Sequence, residues 1–304
     1  MARGGEGRVL TPDELGVALA REFPYPDSPT FTEPLWHYTD AAGLHGIVGS
    51  GQIRATHSGH LNDTEEIHFG HRQAARAALS LSLEPSSLSA RLLKSFLEEW
   101  ERAPLAYSTN VCIASFCQDG GNGLSQWRAY GAFGAGYSIG LRSLPGATAE
   151  HLLKVRYVNP TNIDGEFVER IRYFVARAAA LMGGTPVDSL VERARDHLGS
   201  LLSIELLRTK NWAFRDEQEW RLIVLSDKAS ELEYRPGPRG LVPSMHIPLT
   251  EAKAKLDLEA VYVGPSNNSR AAVDAVVGFL ESKGYVDARA LVRPSDIPFR
   301  GPHG

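Results

Sequence analysis

The run Glu217-Gln218-Glu219-Trp220-Arg221 sets two carboxylates and a guanidinium at alternate positions. In an extended strand the period of two puts Glu217, Glu219 and Arg221 on one face, with neighbours roughly 7 Å apart, and turns Trp220, Leu222 and Val224 to the other. Such a face can orient a sugar hydroxyl, stabilise positive charge developing at a sugar carbon, or let one carboxylate raise the pKa of its neighbour. The same spacing suits a salt bridge on a solvated sheet edge.

Three other groups carry polar chemistry. His37-Tyr38-Thr39 sits at the end of a short strand, where a histidine is either a catalyst or a hydrogen-bonded structural residue. Leu61-Asn62-Asp63-Thr64-Glu65-Glu66 reads as a turn and helix cap, with the glutamates favoured by the helix dipole. His37, His45, His57, His60, His68 and His71 crowd one stretch with nearby acids, which raises a metal-dependent hydrolase or nuclease. Neither His57-x-x-His60 nor His68-x-x-His71 has a zinc spacing with its general base, and no cysteine joins them, so no metal is expected. Gly131 to Gly136 lacks the Gly-Lys-Ser/Thr of a phosphate loop and reads as a turn beside Trp127 and Tyr130.

These residues need a scaffold. At 304 residues, 43% of them hydrophobic, the chain can bury one large core or two modest ones. A net charge of −4 gives no overall basic surface for nucleic acid. Cys112 and Cys117 fall five apart in an apolar run and read as buried reduced thiols on opposite faces of a strand. The polar N-terminus and the lack of a long apolar run predict a cytoplasmic protein with no membrane partner.

Expected elements begin with a helix capped by Thr11, followed by a Pro-rich link to residue 34. Strand 35–39 then feeds a helix with Asp40 as N-cap and Gly51 as stop. Helices are expected over 63–83 and 87–100, and strands over 111–117, 137–141 and 153–158. Helices follow over 165–182 and 186–207, the second capped by Thr185. Strands at 219–225, 245–249 and 260–263, a helix at 269–283 and a strand at 290–292 complete the pattern. Strands in the middle and end, with helices bunched between, predict an α+β fold: a mixed, mainly antiparallel sheet with helices around it, in a single domain over 35–300.

Taken in order, His37-Tyr38-Thr39, Asn62-Asp63 with Glu66, Cys112 to Phe116, Trp127-x-x-Tyr130, Lys210-x-Trp212, Glu217-x-Glu219-Trp220-Arg221, Gly264-Pro265 and Ser295-x-Ile297 resemble the bacterial family known as domain of unknown function 2971. That resemblance implies a role in defence against phage. It departs at 213–216, where one additional residue separates Trp212 from Glu217.

More distantly, Leu35 to Thr39 with the helix ending at Gly51 resembles the start of an ADP-ribosyltransferase domain, which implies split sheets and NAD as substrate. By that likeness His37 and Thr39 would hold NAD, Tyr130 or Tyr137 would stack on nicotinamide, and Glu219 would stabilise an oxocarbenium-like transition state. Glu217 would be the general base toward an unknown acceptor, protein or nucleic acid. Tyr38 stands where that family carries a small residue. The third reading is a non-catalytic sensor or interaction module, in which Glu217, Glu219 and Arg221 form an ion network and Trp127 packs the core.

Overall fold

The computed structural model describes residues 10–24, 30–61, 65–102, 110–183, 187–226, 228–237, 240–252, 254–265 and 270–298, without the side chains of 65, 66, 102, 133 and 229. Asn62, Asp63 and the expected cap Thr185 lie outside those residues, and Glu66 is described only as backbone in a helix.

In chain order come helix α1 (Pro12–Glu22), strand β1 (Leu35–Thr39), helix α2 (Ala41–Ser50), strand β2 (Gln52–His57), and helices α3 (Glu65–Leu79) and α4 (Leu88–Arg102). Strand β3 (Asn110–Cys117), helix α5 (Leu124–Ala129), strand β4 (Tyr137–Leu141), helix α6 (Gly146–Ala149) and strands β5 (Leu152–Lys154) and β6 (Arg156–Val158) follow. Next are helices α7 (Gly165–Leu181) and α8 (Asp188–Leu207) and strands β7 (Thr209–Asn211), β8 (Glu219–Ser226), β9 (Glu233–Gly237), β10 (Gly240–Pro248) and β11 (Leu258–Val263). Helices α9 (Arg270–Ser282) and α10 (Ala288–Leu291) and strand β12 (Val292–Pro294) complete the chain. The fold is α+β, as expected.

A single domain over 35–300 is expected from the sequence, but the chain divides into two compact units. One takes Met1–Asp27, Asp63–Thr109 and Arg156–Ala213; the other takes Ser28–Asn62, Asn110–Val155 and Phe214–Gly304. The expected strand 153–158 marks one crossing between them. Val155 N–H donates to Glu219 O at 2.9 Å and Arg156 N–H to Arg208 O at 2.7 Å, so the run breaks into β5 and β6, each with its own partner.

The first unit is helical. Helices α1, α3, α4, α7 and α8 bury Leu15, Ala74, Phe96, Trp100, Phe174 and Leu202 at their helical spacing, beside the parallel pair β6–β7. Within it, the buried Glu205 receives Arg170 at 2.6 Å and Arg208 at 2.9 and 3.0 Å, which satisfies a carboxylate that burial would otherwise make costly.

The second unit is a ten-stranded sheet in the order β12-β11-β4-β1-β3-β2-β10-β9, with β8 on β3 and β5 on β8. Among the described residues, the parallel pair of this sheet is β11–β12. Strand β3 organises the sheet: β8 pairs along its whole length, Asn110↔Ser226 to Cys117↔Glu219, while its other edge is shared, Cys117 with β1 and Cys112–Ile113 with β2. Helix α2 forms between β1 and β2 because Asp40 accepts Gly43 N–H at 2.7 Å and Gly51 adopts φ 70, as the sequence predicts. One expected strand is replaced: 288–291 is the short helix α10, and β12 starts only at Val292.

Side-chain alternation gives this sheet two unlike faces. One carries the main core of Leu35, Ala114, Phe116, Ile139, Trp220 and Leu222, against Leu44, Ile47 and Val48 of α2. The other carries Trp36, Tyr38, Cys117, Trp127 and Ala260. The two cysteines fall on opposite faces as expected, both free and buried. On the second face the Trp36 ring lies across β4, where a Cβ on Gly140 would stand 2.5 Å from it.

Gly140→Ala is therefore expected to destabilise the sheet unit by about 2 kcal/mol through overpacking, a fall in Tm of about 4–8 °C. Gly46→Ala, on an exposed turn of α2 with open space around it, is the control and is expected to hold or raise Tm in the same thermal melts.

Candidate functional site

Glu219 opens β8 opposite Cys117, and Arg221 stands opposite Ser115. Both are buried, Glu219 at 6% and Arg221 at 3% exposure. Arg221 Nε donates to Glu219 Oε1 at 2.8 Å and Nη2 to Oε2 at 3.1 Å, a two-pronged pairing within one strand. Ser115 Oγ donates to Glu219 Oε1 at 2.7 Å from the neighbouring strand. Three charge-assisted hydrogen bonds thus converge on one carboxylate.

Glu217 lies outside the strand. It ends a 3-10 turn, Trp212–Glu217, and Gln218 takes φ 45, so the alternation expected from 217 begins only at Glu219. A left-handed residue without glycine leaves no trace in a hydrophobic pattern. Glu217 still bears on this face electrostatically, since its charge is among the causes that raise the pKa of Cys117, after burial and Asp119.

His37 lies on the opposite face from Glu219. Its strand partner is Ile139 and its ring meets Phe116 at 5.7 Å, both on the main core side, whereas Trp36 pairs with Cys117 on the Glu219 side. Nδ1 stands 2.9 Å from Ser115 O; a carbonyl only accepts, so Nδ1 carries the hydrogen and the neutral imidazole presents Nε2 as an acceptor. Burial pushes the His37 pKa down, against the Ser115 hydrogen bond that raises it. Thr39 and Tyr137 pair with each other and share the His37 face. Tyr130 ends α5 at 42% exposure. The strand alternation thus groups His37, Thr39 and Tyr137, and separates them from Glu219 and Arg221.

The second face holds a polar network that spacing alone did not reveal. Tyr38 Oη donates to Asp119 Oδ2 at 2.7 Å and accepts Gly123 N–H at 2.8 Å. Asp119 Oδ1 accepts Gly121 N–H at 2.9 Å and the Cys117 thiol at 3.3 Å. Trp127, fully buried, meets the Tyr38 ring edge-on at 4.8 Å and donates Nε1 to Asn122 Oδ1 at 2.9 Å, which also accepts Ser295 Oγ at 2.6 Å. Burial and then the Asp119 charge push both the Tyr38 and Cys117 pKa values far up, so neither is a nucleophile at neutral pH. Asp119-Gly120-Gly121 is a turn signal that marks where this loop would be pinned.

A cavity of about 750 Å³ opens in the sheet unit where the end of α2, helix α6, the end of β10 and the chain after α9 meet. Val224, Ile247 and Leu256 contribute apolar surface, and Lys255, Lys283 and His151 the basic groups. None of the residues expected to act from the sequence lines it.

Among the described residues no group of three or more His, Cys, Asp or Glu side chains is placed to hold a metal ion. His68 and His71 belong to the helical unit, where His71 stacks on Trp100, and His37, His45, His57 and His60 to the sheet unit. No helix among the described residues is long and apolar enough to cross a membrane. Comparison with family models, curated proteins and solved structures finds no match to this chain.

The depressed His37 pKa gives a pH test. The folded form stays neutral below the unfolded value of about 6.5, while the unfolded chain takes up a proton. Stability is therefore held above about pH 6.5 and lost as the pH falls from there toward the folded pKa. His197 in the helical unit, lowered chiefly by burial, acts in the same sense. Between about pH 7.5 and about 5.5 the Tm of the wild type is expected to fall more than that of His37→Gln; parallel slopes would contradict the burial of a neutral His37.

Proposed function

We propose that the protein is a sensor or interaction module that binds a ligand, and does not cleave NAD at Glu219. The observation that supports this most is the alternation across β1, β3 and β8, which sends His37 and Glu219 to opposite faces. Sugar-carbon chemistry of the ADP-ribosyltransferase kind needs the group that holds the ribose and the carboxylate that stabilises its charge to face one cleft. A carboxylate between Arg221 and Ser115 also serves a structural purpose: it pairs with a guanidinium that the fold buries. Trp127 and Tyr38 fit the same reading, as packed and hydrogen-bonded members of the sheet's second face. The role in phage defence implied by the motif resemblance would then be one of recognition.

The test is nicotinamide release from NAD by purified wild type and Glu219→Gln in the presence of protein and nucleic-acid acceptors. No release above buffer is expected from either. Release by the wild type that Glu219→Gln abolishes would overturn the reading.

A further inference from the structure

We infer that the cavity of about 750 Å³ in the sheet unit is a binding site for a small organic anion with a flat apolar body, an aryl phosphate monoester or its like. The inference rests on the binding-module reading and names the ligand class for it. The volume lies within the roughly 300–1,000 Å³ typical of small-molecule sites.

The charge of the lining is the main argument. Two ammonium groups, Lys255 and Lys283, and the imidazole of His151 face one carboxylate, Glu251, in a chain whose net charge is −4. Lys255 Nζ donates to Gly284 O and lies 5.6 Å from the centre of the Tyr285 ring. That bond uses one of its three donors, and it anchors the ammonium beside the cavity with two donors to offer. Lys283 directly follows α9 and is steadied over the Phe279 ring at 5.7 Å.

The apolar part of the ligand follows from the walls. Tyr285 is positioned by its own hydroxyl, which donates to Leu256 O at 3.3 Å, so its ring is a fixed wall. Val224 and Ile247, which come from the core side of the sheet, add aliphatic surface. Two of the polar groups nearby are already committed to the fold: Thr148 Oγ1 donates to Pro248 O at 2.7 Å and Thr250 Oγ1 to Lys255 O at 2.9 Å. They shape the cavity and leave the ammoniums to recognise charge. A bare anion would leave the walls unused, and an uncharged aromatic would leave two ammonium groups with Glu251 as the one carboxylate of the lining.

The probe is 1-naphthyl phosphate, titrated calorimetrically into the full-length protein, with 1-naphthol and inorganic phosphate as its separate halves. Saturable binding of the whole probe is expected, at least about tenfold tighter than either half. Lys255→Ala/Lys283→Ala should weaken it at least about tenfold, and Glu251→Gln, which leaves the anchoring contacts in place, should tighten it about threefold. No saturable binding by the wild type would overturn the inference. So would a double alanine variant that binds as tightly as the wild type, or a Glu251→Gln variant that binds more weakly. These results are separable from the reading beneath them: Glu219-dependent nicotinamide release would remove the binding-module reading whatever the titration gives, and a flat titration would remove only the site.

Discussion

Strand β3 is the constraint on which the sheet unit depends. Its pairing with β8 runs from Asn110↔Ser226 to Cys117↔Glu219 without a slip, and its other edge takes up β1 at one end and β2 at the other. Once that register is set, the pleat decides where every polar side chain on three strands points. Cys117, Glu219 and Trp36 share one face; Phe116, Trp220 and His37 take the other. A shift of one residue would carry Trp220 and Leu222 out of the main core, at about 2 kcal/mol for each large side chain, so the register is strongly held.

Within that frame the Glu219–Arg221 pair is a cost that the fold has to balance. Two charges at 6% and 3% exposure give up most of their hydration, and their mutual attraction offsets this only with good geometry and further hydrogen bonds. The two-pronged contact and the Ser115 hydroxyl supply both. Losing either partner removes this pairing from a charge that stays buried, the more expensive state. His37 solves a similar problem differently, by staying neutral and donating to Ser115 O. Both devices converge on Ser115, the one through its hydroxyl and the other through its backbone.

Much of this architecture is legible in the sequence because local chemistry dictates it. Asp40 and Gly51 bound α2 by capping alone, and Tyr137 to Leu141 and Val111 to Cys117 are apolar runs too short for helices. The opposed cysteines follow from the pleat. What is not legible depends on long-range pairing or on backbone angles that leave no pattern. Gln218 at φ 45 removes Glu217 from the strand, and the break at Val155 depends on partners that lie at Arg208 and Glu219. The relation of His37 to Glu219 is set by β3, a strand about eighty residues from one and a hundred from the other, so no local spacing could report it. The cavity is hidden for the same reason, since residues 48–52, 145–151 and 247–256 meet there only in the fold.

The account stands on Glu219 and Arg221 being a structural pair, and a double-mutant cycle in urea unfolding, followed by tryptophan fluorescence, tests that most directly. Glu219→Gln and Arg221→Met are each expected to cost about 3–5 kcal/mol, while the double variant should cost at least about 2 kcal/mol less than their sum. A Glu219→Gln protein as stable as the wild type, with strictly additive effects in the cycle, would contradict the account and return Glu219 to the role of a carboxylate kept for chemistry.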